Sequence, residues 1–163
     1  MIDESYITKH QESSALRYVD ILLGRVDKFV SSTSNSNLMD EFVFKKSMIV
    51  DISFACELLI KVLLLRQGFS SETFNSHNLN INFNLLDSTT QQEIKGLVSD
   101  VDFDSKLSNP DTSSTYENSR YIYESNTGNP DYVFLSKLCK ALLENILVEQ
   151  VNINSRLSAA ASL

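Results

Sequence analysis

Four side chains in this sequence could do acid–base or phosphate chemistry: the near neighbours Glu57 and Lys61, and the more distant His77 and Arg120. Glu57 and Lys61 stand four residues apart with the acid first, the favourable order for a pair on one helix face. Their neighbours are apolar, so the pair is only partly solvated. It either ties one helix to another or looks into a pocket. His77, in Ser76-His77-Asn78-Leu79, could serve as a general base near neutral pH or as a capping residue at a helix start. Arg120, in Arg120-Tyr121-Ile122-Tyr123-Glu124, offers a permanent cation whose planar fork suits phosphate. It could equally stack on a tyrosine ring or pair with Glu124 or Glu57. The candidate ligand-binding set is Arg120, Tyr121, Tyr123, Glu124, Asn126, Glu57 and Lys61, with Arg120 and His77 as the candidates for catalysis.

Other chemistries lack their residues. With two histidines, His10 and His77, no paired-histidine metal site can be assembled, and no Cys/His cluster exists for zinc. There is no Gly-rich phosphate loop, no dinucleotide fingerprint and no nucleophile with a supporting triad order. Neither metal nor cofactor is expected. The two cysteines, Cys56 and Cys139, sit in apolar helical runs without a CxxC neighbour. They read as reduced core thiols of a cytoplasmic protein.

The elements that must position these groups are helices. Two prolines and four glycines leave few breakers, and apolar residues recur at three- and four-residue spacing. A first helix is expected over 4–31, with Leu16, Val19, Leu23, Val26 and Val30 as its buried face. A polar loop at 31–37 ends it. A second helix over 40–67 is apolar on nearly every side in its second half, which places it at the centre of a bundle, and Gly68 is its natural terminator. A polar connection over 70–84 carries His77 and leads to a short turn of helix near 79–86. Ser88 is expected to cap a further helix that buries Ile94, Leu97, Val98 and Val101. Residues 105–118 are the most polar stretch and read as a mobile loop. Asn129 and Pro130 are placed as cap and first helical position of a last helix over 131–151, which buries Leu135, Leu138, Leu142 and Ile146. Residues 155–163 read as a flexible tail, leaving one domain over 1–154.

A chain of 163 residues is large enough to bury a core as one domain. Its formal charge of −7 argues against a broad basic face for nucleic acid and leaves room for a local basic pocket. The same acidity suits a basic protein partner. Residues 48–65 have the length of a membrane span, but Asp51, Glu57 and Lys61 within them would be costly at a bilayer centre, so no membrane is expected. No secretion signal is read at the start.

The core helix with its internal Glu-x-x-x-Lys pair, ending at Gly68, followed by His77-Asn78-Leu79 and later by Arg120-Tyr-x-Tyr-Glu124, resembles the HEPN superfamily of small helical domains. The resemblance spans residues 16–151. It implies an all-α, four- to five-helix up-and-down bundle, usually a homodimer through the face carrying the arginine motif. In active members, an arginine and a histidine in an Arg-x(4-6)-His motif promote attack of a ribose 2′-hydroxyl on its own phosphate without metal. Here Arg120 falls where the arginine belongs, and Ser125, Asn126 and Thr127 occupy the allowed histidine positions. None of these titrates near neutral pH.

Three functions follow. The first is a catalytically degenerate HEPN-like binding protein of a bacterial defence or toxin–antitoxin system, acting through protein contacts or by holding a nucleotide or RNA at Arg120. The second is a metal-independent endoribonuclease with a displaced base such as His77. The third is an acidic immunity or antitoxin protein that neutralises a basic nuclease.

Overall fold

The computed structural model describes residues 4–32, 38–70, 73–74, 76–116, 118 and 130–160, and side chains within 9–26, 28, 45–70, 73–74, 76–116, 118 and 130–148. The described residues form seven helices and no strand: α1 (Glu4–Ser32), α2 (Leu38–Arg66), α3 (Leu79–Phe83), α4 (Ser88–Val98), α5 (Phe103–Ser108), α6 (Pro110–Ser113) and α7 (Tyr132–Ala160). The all-helical class agrees with the sequence reading. The count exceeds the expected four or five because α5 and α6 occupy a stretch read as loop.

Cross-helix contacts fix the directions of the longer elements. Glu12 and Arg25 of α1 pair with Arg66 and Asp51 of α2, so these two run antiparallel. Cys56 and Arg66 of α2 donate to the carbonyls of Leu135 and Ile146 of α7, so α2 and α7 run parallel. Asn145 of α7 donates to Glu93 of α4, and Phe134 packs on Phe103 just beyond α4, which sets α4 antiparallel to α7. The longer helices α1, α2, α4 and α7 thus alternate in direction.

α2 is the hub. Ala55, Cys56, Leu59, Ile60, Val62, Leu63 and Leu64 are all essentially inaccessible, so the helix is covered by α1 on one side and α7 on the other. It ends in a Schellman turn: Phe69 N–H donates to Leu64 O and Gly68 N–H to Leu65 O, with Gly68 at φ 85°. The left-handed backbone at Gly68 is why glycine stands there.

Several boundaries differ from expectation. The cap of α4 is Asp87, not Ser88; its carboxylate accepts from the N–H groups of Thr89 and Thr90, which a serine one residue later could not reach. α4 stops at Val98, where Ser99 turns left-handed at φ 51°, so Val101 falls past the helix and is fully exposed. Leu97 lies on the outer face, 44% exposed. Ile94 and Val98 are buried as read.

Residues 103–116 are not a loop. Phe103 wedges between Phe83 and Phe134, with ring centroids 5.2 and 5.4 Å away, and Leu107 is buried beside it. Asn109 caps α6, with Pro110 opening it. The start of α7 is held by Asp131, whose carboxylate accepts from Phe134 N–H, in the capping role assigned to Asn129; Asn129 itself lies outside the described residues. α7 continues to Ala160, past the expected end at 151 and into the residues read as a tail. Leu135, Leu138, Leu142 and Ile146 are buried, as the periodicity predicts. In α1, Val19 is buried and Leu16, Leu23 and Val26 pack partly buried on the core; Val30 and the loop at 33–37 lie outside what is described. Among the described residues no helix is long and apolar enough to cross a membrane.

Candidate functional site

Among the described side chains of α2, one carboxylate lies deep in the apolar half, that of Glu57, which is 1% exposed. A buried charge needs partners, and Glu57 has two on the same oxygen. Lys61 Nζ, one helical turn on, donates to Oε1 at 2.7 Å, and His77 Nδ1 lies 3.0 Å from Oε1. A carboxylate can only accept, so the imidazole carries its proton on Nδ1 and leaves Nε2 as the acceptor of the neutral ring. The ring is half in solvent (49% exposed), whereas Lys61 is mostly covered.

His77 is held by the turn that begins α3. The capping residue is Asn78, not His77: its side chain accepts from Ile81 N–H, and its amide reaches the hydroxyls of Ser113 and Ser114 at 3.3 and 3.0 Å. On the other side of His77, Ser76 O accepts from Asn82 Nδ2 at 2.8 Å and Ser76 Oγ accepts from Asn78 N–H. Each flanking residue is therefore tied down, and the imidazole is carried to Glu57 by a fixed backbone. Asn82 is completely buried, which makes it a positioning residue rather than a contact group.

Aromatic rings complete one wall. Phe54, three residues before Glu57, stacks on Tyr116 with centroids 4.3 Å apart and planes 9° from parallel. Tyr116 in turn lies 5.4 Å from the His77 ring. Tyr116 is delivered by the end of α6, where buried Thr115 donates its hydroxyl to the carbonyls of Asp111 and Thr112. Beyond Phe54, the edge of Tyr18 approaches at 6.0 Å, and an almost wholly apolar cavity of about 390 Å³ opens along Ser14, Tyr18, Phe54 and Leu58.

Besides Asn82 Oδ1, two oxygens on α2 at this site have no hydrogen-bond partner. Glu57 Oε2 and Ser53 Oγ, one turn apart on α2, are both buried and unpaired. A buried acceptor left without a donor costs on the order of 1–3 kcal/mol. The group this site presents outward is the half-exposed imidazole of His77. Among the described residues, no three His, Cys, Asp or Glu side chains converge in a way that could hold a metal ion.

Of the residues singled out in the sequence, Glu57, Lys61 and His77 come together. Arg120, Tyr121, Tyr123, Glu124 and Asn126 lie outside the described residues, as do Ser125 and Thr127. His10 stands on α1 beside the apolar cavity, apart from the Glu57 cluster. Sequence reasoning missed Phe54, Tyr116 and the Asn78 tether. Asn78 was legible as the polar residue just before an apolar helical start. Tyr116 gave no signal, being the one aromatic at the end of a serine- and threonine-rich run.

No family model, no curated protein and no solved structure matches this chain.

Proposed function

We propose that the chain is a HEPN-like helical domain that binds a nucleotide or an RNA end at the Glu57–Lys61–His77 cluster, as a binding protein rather than an efficient nuclease. The observation that carries this reading is the buried Glu57 carboxylate, which gathers Lys61 and the half-exposed His77 ring on one oxygen. Such a cluster suits a ligand that brings acceptors and a donor together. Phosphate oxygens would meet the partly exposed Lys61 ammonium, and a ribose hydroxyl or a base amino group would donate to Nε2 of the half-exposed His77 ring. The acidity of the whole chain supports a short ligand over a long phosphate track.

The hydrogen bond from His77 Nδ1 to Glu57 favours a second reading, a metal-independent endoribonuclease with a displaced base. A carboxylate on Nδ1 fixes the tautomer whose Nε2 can take a proton from a 2′-hydroxyl, and it stabilises the imidazolium that results. Both readings are tested by titrating the chain with a nucleoside monophosphate and a short RNA in chelator, following heat release and RNA length together. Binding without cleavage, weakened about tenfold or more in His77→Ala, is the expected result, since a hydrogen bond to a charged group contributes roughly 1.5–3 kcal/mol. Rapid cleavage lost in His77→Ala would install the nuclease instead. No binding by the unaltered chain would overturn both.

A further inference from the structure

The two cysteines, far apart in sequence, meet where α2 packs on α7. Cys56 Sγ donates to Leu135 O at 3.5 Å, and Leu135 stands one turn before Cys139 on the same face of α7. Both thiols are free, and Cys56 is entirely enclosed. Cys139 is 3% exposed but forms part of the wall of a cavity of about 410 Å³, shared with Val26, Ile52, Ser136 and Leu143 and open toward solvent. Of the two cysteines, only Cys139 borders space open to a small oxidant.

We propose that Cys56 and Cys139 are a peroxide-oxidisable dithiol whose disulfide locks α2 to α7. The pair is chemically asymmetric. Burial pushes the Cys56 thiol well above its ordinary value, and of the two only Cys139 borders the cavity through which an oxidant would arrive. Cys139 is thus the nucleophile and Cys56 the resolving thiol. In the first step the Cys139 thiolate attacks hydrogen peroxide; an S–O bond forms, the O–O bond breaks, and hydroxide leaves, giving the sulfenic acid. In the second, Cys56 attacks the sulfenic sulfur; the S–S bond forms, the S–O bond breaks, and the Cys56 proton leaves with the hydroxyl as water. Peroxide is reduced and the two thiols are oxidised by two electrons in all.

The crosslink joins the hub helix to its parallel neighbour, the two elements that frame the core beneath Glu57. It needs no ligand at that cluster, so the proposal stands whatever binds there.

The test is intact-mass and peptide mapping of the native chain after a brief exposure to millimolar hydrogen peroxide, with Cys56→Ser and Cys139→Ser alongside. The expected product is about 2 Da lighter, carries a peptide joining residues 56 and 139, and melts several degrees higher. Cys56→Ser should accumulate oxygen adducts at position 139, and Cys139→Ser should leave Cys56 unreacted. Overoxidation of Cys139 in the unaltered chain with Cys56 still free would overturn the pairing. So would a native chain inert to peroxide when the urea-unfolded chain reacts.

Discussion

At the scale of single residues, the chain shows where a side chain's type is informative and where its partner is not. Glu57 and Lys61 were readable as a pair from their spacing alone, because four residues on a helix bring two side chains to one face. That His77 shares the same carboxylate was not readable, since the contact closes over twenty residues of intervening chain. Its half-structural reading as a cap failed for a local reason: the neighbouring Asn78 has the shorter, better placed acceptor. Asp87 illustrates the same competition at α4. Its carboxyl is held below the usual carboxylate range by hydrogen bonds from Thr90, through both N–H and hydroxyl, and from Thr89 N–H. A carboxyl depressed in the fold stabilises above its unfolded value, and that contribution is lost as pH falls through the folded one. Asp87→Ala should therefore cost about 1 kcal/mol at neutral pH, the usual worth of a cap. Its deficit relative to the unaltered chain should shrink as pH drops below about 4, near the unfolded carboxyl value. Urea unfolding at neutral and acid pH measures both; an equal deficit at the two would show that the charge is irrelevant.

At the scale of elements, three long helices were legible because their periodic apolar faces and polar ends left little choice. The short helices were not. α5 and α6 sit in a polar run with few apolar residues; Phe103 is placed by contacts with Phe83 and Phe134, and Leu107 is buried in the same core, rather than by local pattern. Tertiary packing overrode composition there. The joint that holds the long helices together is Arg66. Its guanidinium donates to Glu12 of α1 and to the Ile146 carbonyl of α7 at 3.0 Å, from the last residue of α2. One cation thus fastens three elements at the end where α2 stops. Arg66→Ala should lower stability by roughly 1.5–3 kcal/mol, because the partly buried acceptors lose a charged donor. It should leave ligand binding at Glu57 and His77 largely intact, Glu57 lying more than two turns back along α2. A Tm unchanged in Arg66→Ala would place the helix contacts elsewhere.

At the scale of the molecule, composition gave the class and the charge, and the structure adds where polarity is concentrated. Few breakers and a high apolar content implied an all-helical domain, and the described residues are helical with no strand. The chain carries a net charge of −7, and among the described residues a Glu–Lys–His cluster gathers on one buried carboxylate with its imidazole half in solvent. The HEPN-like reading stands on that cluster and on the sequence boxes, with Arg120 as its expected further cation. The cluster's chemistry turns on one nitrogen. Long-range ¹⁵N–¹H spectra of the His77 ring, recorded while a nucleoside monophosphate is added in chelator, address it directly. The account predicts that Nδ1 keeps its proton toward Glu57 throughout, while the Nε2 signal moves saturably with ligand; in Glu57→Gln the free ring should lose its fixed tautomer. An Nε2 resonance that stays still while the ligand demonstrably binds would contradict it.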